Sequence, residues 1–357
     1  MRLLVVLCVL FAACAPPRET IPDAIPRVSA TLATDAVADD PDDPAVWVNP
    51  ADAANSLILG TNKAAAPNGA LLVFGLDGKL RQRIGGIDRP NNVDVEYGFQ
   101  LDGQSVDIAV LTERYAHRLL VYRIAPGAGE LSLIAAVPVF EGETGEFAEP
   151  MGIALYRRAS DGAVFAIVGR KNGPVDGYLW QYRLEEDGRG GIRGSKVRQF
   201  GSYSGSGEIE AIAVDDAMDA VYYADEALGI RKWAADPQSP EAAEELALFG
   251  TKGFEGDREG IAVYATGKSS GYVICTDQLD GNSRYRVFRR EGRADNPNDH
   301  SELVGVFSGG ADATDGIEAI SAPLGDRFPR GIFVAMNSSA RNFLVYDWRS
   351  IEAILAK

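Results

Sequence analysis

Short apolar strands recur along the chain at a regular spacing, and most of them open with a carboxylate. The six copies begin at Asp43, Asn91, Met151, Glu210, Glu259 and Asp315. Successive copies begin 48 to 60 residues apart, a period that suits one four-stranded blade of a β-propeller. The pattern therefore predicts an all-β fold, a six-bladed β-propeller of four-stranded antiparallel blades.

The rest of each repeat supports this prediction. A second apolar run follows the first, as in LILGTNK ending at Lys63, and then a third, as in ALLVFGL from Ala70. Polar turns such as LDG at Leu76 separate the runs, and helical periodicity is scarce. We expect a strand from Ser29 to complete the last blade, and a short helix or tail from Ser350.

The propeller places two sets of residues on one face. The start of the innermost strand and the end of the antiparallel second strand reach the same face of the disc. The starts contribute Asp43, Glu210, Glu259 and Asp315, with Glu149, Glu208 and Asp257 two residues earlier. The ends contribute Lys63, Arg114, Arg170 and Lys171, then Asp225, Glu226 and Asp277. This order predicts a rim divided into a cationic arc and an anionic arc.

Crowded carboxylates need protons or cations. Two unit charges about 5 Å apart at an effective dielectric near 20 repel by roughly 3 kcal/mol. The chain has only two histidines, His117 and His300, so zinc or copper sites have few ligands to use. Oxygen ligands alone suit calcium. Several Ca²⁺ ions beside a basic arc would bind a polyphosphorylated anion.

A plainer interpretation stays open for each of these residues. With 51 acidic against 35 basic residues, many carboxylates are expected to be ordinary solvated surface. Lys63, Arg114 and Lys171 in turn have neighbouring carboxylates with which to pair. The acidic balance, with a pI near 4.7, argues against nucleic acid as a partner.

Several longer strings resemble the β-propeller phytases, a calcium-dependent family of alkaline phytases. They are DDPAVW at Asp42, TNK at Thr61, NNVDV at Asn91, GEIEAIAVDD at Gly207, DREGIAVY at Asp257 and TDGIEA at Thr314. The similarity runs from about Asp39 to the end of the chain. It implies a calcium-dependent propeller that binds phytate phosphates at a basic affinity site and hydrolyses them at an adjacent calcium-rich site.

The resemblance also implies roles for individual residues. By motif position the calcium ligands are Asp43, Glu210, Asp257, Glu259 and Asp315, with Asp42, Asp94 and Glu226 beside them. The phosphate-binding residues are Lys63, Arg114 and Lys171, and Arg170 is added from its strand end. The chain departs from the family pattern at Ala64, where a second lysine is usual, and at Met151, where tyrosine is frequent. It also lacks the acidic string expected at Met336–Ser339.

The expected activity is that of a 3-phytase-type phosphoric monoester hydrolase. Calcium ions bridged by Glu210 and Glu259 would activate a water that hydrolyses phytate (myo-inositol hexakisphosphate) to lower inositol phosphates, without a covalent intermediate. Two alternatives remain at this point. One is another calcium-dependent propeller hydrolase, acting on a phosphodiester or a lactone, and the other is a non-catalytic surface propeller that binds its ligand.

The beginning of the chain predicts export. Residues 1–14 are typical of a signal peptide with a lipobox-like end at Cys14, residues 15–28 of a flexible tether, and residues 29–357 of a single propeller domain. We expect a monomeric lipoprotein of the bacterial cell envelope or outer membrane, attached through a lipidated Cys14. A periplasmic or secreted protein is the alternative. Cys275 then has no disulfide partner within the mature chain.

Overall fold

The chain forms six four-stranded antiparallel sheets, described over residues 24–356 in a computed structural model. Blade one contains β2 (Pro41–Trp47), β3 (Leu57–Asn62), β4 (Ala70–Gly75) and β5 (Leu80–Gly85). Blade two contains β6 (Pro90–Leu101), β7 (Gln104–Glu113), β8 (Arg118–Ile124) and β9 (Leu131–Pro138). Blade three contains β10 (Pro150–Arg157), β11 (Val164–Arg170), β12 (Asp176–Glu186) and β13 (Ile192–Ser202).

The second half of the chain repeats this arrangement. Blade four contains β14 (Ile212–Asp215), β15 (Ala220–Asp225), β16 (Gly229–Ala234) and β17 (Glu245–Phe249). Blade five contains β18 (Ile261–Ala265), β19 (Gly271–Asp277), β20 (Arg284–Arg289) and β21 (Leu303–Ser308). Blade six contains β22 (Ile317–Ile320), β23 (Ile332–Asn337), β24 (Asn342–Asp347) and, from the N-terminal side, β1 (Leu32–Ala33). The predicted six-bladed propeller is confirmed.

Burial between neighbouring blades explains the apolar runs. Every residue of β3 and of β4 is buried, because both faces of these strands are covered. One face of blade one packs Leu59 and Leu71 against Leu111 of blade two. The opposite face packs Phe74 against Phe343 of blade six. The apolar core therefore continues around the ring.

The ring closes with the N-terminal segment that the sequence indicated. Leu32 and Ala33 pair antiparallel with Val345 and Leu344 at the outer edge of blade six. Residues 26–28, assigned to the flexible tether, also lie against the propeller. The amide of Val28 donates to the Ser308 carbonyl, 2.8 Å away. The described end of the predicted tether is thus held by blade five.

The C-terminal residues form the expected short helix, α1 (Trp348–Leu355). The Asp347 side chain caps it by accepting from the Arg349 amide. Trp348 is fully buried and stacks on Tyr264, with the ring centroids 3.5 Å apart. Among residues 24–356, no helix is long and apolar enough to cross a membrane. The predicted signal peptide, with Cys14, lies outside the described residues.

Candidate metal and substrate site

The first strands of the six blades surround a central channel, and their starts meet the ends of the second strands at one mouth. Pro41 pairs with Asn62 and Pro90 pairs with Glu113, as the antiparallel arrangement requires. In blades four to six the carboxylates of the repeat precede the regular strand. Glu210, for example, lies two residues before β14. These carboxylates therefore belong to the turns that enter the channel.

Glycines in the repeat bring neighbouring blades close together at this mouth. A Cβ on Gly316 would lie 2.6 Å from the Cα of Asp43, so blades six and one touch there through bare backbone. A Cβ on Gly260 would lie 2.5 Å from the Asp315 carbonyl oxygen. Because only glycine fits such an approach, the glycine after Glu259 and after Asp315 sets the distance between successive carboxylates.

Lys63 lies at the centre of a group of carboxylates from three blades. Its ammonium forms an ion pair with Asp42 of blade one and lies 3.9 Å from Glu210 of blade four and 3.7 Å from Asp315 of blade six. Burial alone would lower the pKa of Lys63, but the carboxylates raise it well above its usual value. Blades one and four face each other across the ring, so this group lies at the axis.

Neutral amides hold these carboxylates in place. The fully buried Asn91 donates from Nδ2 to Glu210 and to Asp42, the latter over 3.3 Å. Its Oδ1 is buried without a hydrogen-bond partner. Gln278 donates to Asp315 over 2.5 Å. The sequence marked Asn91 as the opening of a repeat but gave it no role, since an amide there breaks the carboxylate pattern.

A second group of carboxylates adjoins the first. Carboxylate oxygens of Glu208, Glu210 and Glu226 all lie within 4.8 Å of one another. Glu226 accepts from the Glu208 amide over 2.6 Å. Burial, followed by the charges of Glu208 and Glu210, raises the pKa of Glu226 to about 8. Glu208 was not among the predicted ligands, although its position two residues before Glu210 gave the signal.

The remaining predicted ligands differ in their distance from this group. Burial, then the charges of Glu210 and Glu226, raises the pKa of Glu259 well above its usual value. Burial raises the pKa of Asp315 to about 6. Asp257 is exposed at the mouth. Glu259 and Asp315 therefore lie within the electrostatic influence of Glu210, and Asp257 within that of Glu226.

Asp43 and Asp94 line the channel itself. Asp43 accepts from the Val93 amide over 3.0 Å, and Asp94 accepts from the Leu155 amide over 2.7 Å. Burial raises the pKa of Asp94 to about 7. They share a cavity of about 330 Å³ with further carboxylates. Those further carboxylates are Glu96, Asp215, Asp216, Glu259 and Glu318. Asp94 thus faces the channel carboxylates and has no contact with Glu210.

The predicted division of the rim into two arcs is wrong. Arg114 forms an ion pair with Glu149, with Nε and Oε2 3.0 Å apart, and Lys171 forms one with Glu208. Lys63 lies within the acidic group itself. The cations of the mouth are thus interspersed among its carboxylates, and each of these three is stabilised by an oppositely charged neighbour.

Arg170 does not reach the mouth. It is only 1% exposed, and it donates to the carbonyls of Tyr178 and Gly177 over 2.9 Å each. Its guanidinium also packs over the rings of Phe140 and Trp180. The structure therefore gives Arg170 a role in holding blade three and its loop, in place of the predicted phosphate contact.

The donor set of this mouth suits a hard cation. Its oxygen atoms belong to carboxylates and amides, and the charges of Glu208 and Glu210 add to burial in raising the pKa of Glu226. His300 is buried elsewhere, where its Nε2 lies 3.1 Å from Lys232. The fold and the mouth together define a propeller whose channel entrance gathers carboxylates that could hold a cation beside basic side chains.

Comparison with known proteins gives the family. Residues 3–352 match the family described as Phytase. A 3-phytase of Bacillus subtilis (strain 168) is 31% identical over 338 residues, which cover 91% of this chain and 84% of that protein. The chain therefore belongs to the phytase family, and the enzyme class predicted from the sequence is confirmed.

Some solved structures resemble this chain only weakly. A putative 6-phosphogluconolactonase of Bacteroides uniformis has a TM-score of 0.49 at 14% identity, covering 85% of this chain and 80% of that one. A periplasmic gluconolactonase of Pseudomonas aeruginosa has a TM-score of 0.44 at 17% identity, covering 72% and 68%. The family assignment rests on the sequence matches.

Proposed function

We propose that this protein is a calcium-dependent phosphomonoesterase that hydrolyses phytate to lower inositol phosphates and phosphate. The observation that carries the proposal is the group of Glu208, Glu210 and Glu226 beside the ammonium of Lys63. A polyphosphorylated anion binds where cations offset its charge. At this mouth a lysine lies beside a cluster of carboxylates, and that cluster would itself bind cations. The similarity to a 3-phytase supports the substrate.

Glu208, Glu210 and Glu226 would hold Ca²⁺, with Glu259, Asp315, Asp257 and Asp42 around them, and Asp43 and Asp94 deeper in the channel. Bound calcium would lower the pKa of a water molecule and offset phosphate charge. Glu210 and Glu259 would orient that water and take up its proton. Among residues 24–356, the buried His300 contacts Lys232 and the Arg289 carbonyl, so it activates no serine or cysteine nucleophile.

The cations of the mouth would bind the phosphate oxygens. Lys63, Arg114 and Lys171 each have a carboxylate partner in the ligand-free protein. When Asp42 and Glu208 serve as metal ligands, they attract Lys63 and Lys171 less strongly, and these two cations become available to phosphate. Substrate binding and metal binding would thus support each other.

The test is phosphate release across a calcium titration. We expect release from phytate to require calcium and to disappear in excess EGTA, because the carboxylates would then repel the substrate. Simple phosphomonoesters, a phosphodiester and a lactone belong in the same titration. Full activity in EGTA would overturn the calcium requirement. Turnover of the diester or lactone without phytate hydrolysis would favour the alternative hydrolases.

We also propose export to the cell envelope, with residues 1–14 as a signal peptide and Cys14 as the lipidated residue. The support is the apolar stretch from Leu3 to Ala13 that ends in small residues before Cys14. A Cys14→Ser variant is expected to move from the membrane fraction to the soluble fraction. Retention of that variant in the membrane fraction would contradict the lipid anchor.

A further inference from the structure

We propose that Arg89 binds a phosphate group of the substrate, next to Lys63 and Arg114. The inference rests on the proposed function and adds a residue to it. Arg89 lies in the loop between β5 and β6, so it stands between blades one and two at the same mouth. Sequence analysis gave it no role, because it lies outside both the strand starts and the strand ends.

The backbone fixes Arg89 between two residues already assigned to phosphate binding. Its amide donates to the carbonyl of Ala64 over 3.0 Å, directly after Lys63. Its carbonyl accepts from the amide of Arg114 over 3.1 Å. The backbone of this one residue therefore connects the segment after β3 to the segment after β7. Any phosphate held by both Lys63 and Arg114 lies close to this loop.

The Arg89 side chain is half-buried and lies against the ring of Tyr115. Its guanidinium faces the ring of Tyr115, with Cζ 5.7 Å from the ring centroid, and Tyr115 is 48% exposed. Nη1 makes a long hydrogen bond of 3.4 Å to the Lys63 carbonyl. Stacking on an aromatic ring keeps a guanidinium flat and oriented without neutralising it.

Arg89 differs from the other mouth cations in its lack of a carboxylate partner. Over the described part of the chain, Lys63, Arg114 and Lys171 form ion pairs, whereas no carboxylate oxygen lies within the 4.0 Å ion-pair limit of Arg89. Its Nε is buried without a hydrogen-bond partner. An unpaired donor at this depth costs free energy unless a ligand satisfies it.

The chemistry of a guanidinium matches a phosphomonoester. Its parallel N–H groups donate to two oxygens of one phosphate, which a lysine ammonium cannot do with the same geometry. Among residues 24–356, Arg89 has no ion pair to break before it binds phosphate. It is therefore available whether or not the neighbouring carboxylates hold calcium. The position beside two other cations favours a substrate that carries several phosphates.

The experiment is steady-state hydrolysis of phytate by Arg89→Gln and Arg89→Lys. We expect Arg89→Gln to raise KM about 10-fold with kcat changed less than about twofold, since a charge-assisted contact is lost away from the reacting water. Arg89→Lys keeps the charge but loses the paired N–H donors of the guanidinium, so its KM should lie between the values for wild type and Arg89→Gln. Arg123→Gln is the matched control, because Arg123 hydrogen bonds to Gln104 near the end of β8 on the opposite face.

Calorimetric titration of phytate into wild type and Arg89→Gln separates this proposal from the proposed function. If wild type releases no phosphate, the proposed function fails, and weaker phytate binding by the variant still supports Arg89. Equal phytate affinity of the two proteins overturns it. So does a fall in kcat at unchanged KM. If Arg89→Gln does not fold, Arg89→Lys decides, and an unchanged KM for that variant overturns the proposal.

Discussion

Glu210 shows how one side chain at the channel mouth connects two groups of charges. It lies 3.9 Å from the ammonium of Lys63 and within 4.8 Å of the carboxylates of Glu208 and Glu226. It also accepts a hydrogen bond from Asn91. Removing its charge therefore alters the metal ligands and the lysine at once, while the fold loses one repulsive neighbour of Glu226.

We predict that Glu210→Gln loses phosphate release by at least about 100-fold at every calcium concentration, because the site loses an anionic ligand and a water-orienting oxygen. Glu244→Gln is the control, since Glu244 is exposed on a loop away from the mouth. The variant should unfold at the wild-type temperature or above it in EGTA. If high calcium restored activity, Glu210 would affect only the affinity for the metal, and the prediction would be wrong.

Met151 and Ala64 set this chain apart from the family pattern, and the structure shows what surrounds them. Met151 is 1% exposed, and its carbonyl accepts from Thr112 over 2.7 Å. Its thioether fills space at the mouth without offering a hard ligand. Ala64 accepts the Arg89 amide through its backbone. Arg89, on a different loop, thus brings a further cationic residue next to Ala64.

The turns that open the inner strands depend on glycine for their packing. Gly316 precedes β22 and lies against Asp43 of blade one, so the last and first blades meet there. The same approach of bare backbone recurs at Gly260, against blade six. Each turn thereby places its carboxylate near the axis, and the strand behind it supplies the rigidity.

We predict that Gly316→Ala destabilises the protein by about 2 kcal/mol, because the new methyl group forces blades six and one apart. Gly85→Ala is the control, since a methyl group there meets only the movable end of Arg83. Thermal unfolding measures both variants. Calcium-dependent stabilisation should also weaken in Gly316→Ala alone. Equal unfolding temperatures of the two variants would show that the blade contact tolerates a side chain.

The closing strand β1 is only two residues long, yet neighbouring contacts lengthen its attachment. Thr31 donates its amide to the Val345 carbonyl over 2.7 Å, and Thr34 exchanges hydrogen bonds with Phe343. Residues on both sides of β1 thus hold the N-terminal segment against blade six. This explains how a short strand closes a ring of six blades.

The molecule as a whole carries a channel and mouth lined by carboxylates with raised pKa values. Burial raises the pKa of Glu318 to about 8 and that of Glu96 to about 9, beside the values near 8 for Glu226 and near 7 for Asp94. Because their pKa values are raised, these groups keep their protons to a higher pH in the folded protein than in the unfolded chain. The folded protein therefore binds more protons over this range.

We predict that the calcium-free protein loses stability as pH rises from about 5 to 9. The raised carboxyl pKa values contribute stability that is complete below the unfolded values, near 4.5, and lost as pH rises through the folded values; the sum is of the order of several kcal/mol. Calcium favours the ionised carboxylates, so its stabilising effect should grow with pH. Unfolding temperatures in EGTA and in calcium, measured across this range, check both statements.

An unfolding temperature in EGTA that rises with pH would contradict this prediction. A calcium effect of equal size at pH 5 and pH 9 would place the cation away from the titrating carboxylates. A variant of an exposed residue, Glu244→Gln, should leave both curves unchanged. The two curves together therefore report on the charge state of the channel and mouth.

The sequence by itself determined the propeller, the number of blades, the closing segment and the mouth at which the carboxylates gather. These features follow from period-two alternation and from the spacing of the repeats, which are local properties of the chain. The order of the repeats also located Lys63, Arg114 and Glu210 at that mouth. A resemblance carried by short strings then supplied the chemistry.

Only the tertiary structure decided which charges meet. Lys63 contacts carboxylates from blades one, four and six, residues that lie up to 252 positions from it in the chain. Arg170 faces inward, Arg89 has no carboxylate partner among the described residues and Glu208 lies close to Glu210 and Glu226. These outcomes depend on side-chain direction and on the distance between blades, which packing across the ring determines. The period-two alternation of a strand determines on which face a side chain lies. Which partner that side chain contacts is determined only when the six blades close into a ring.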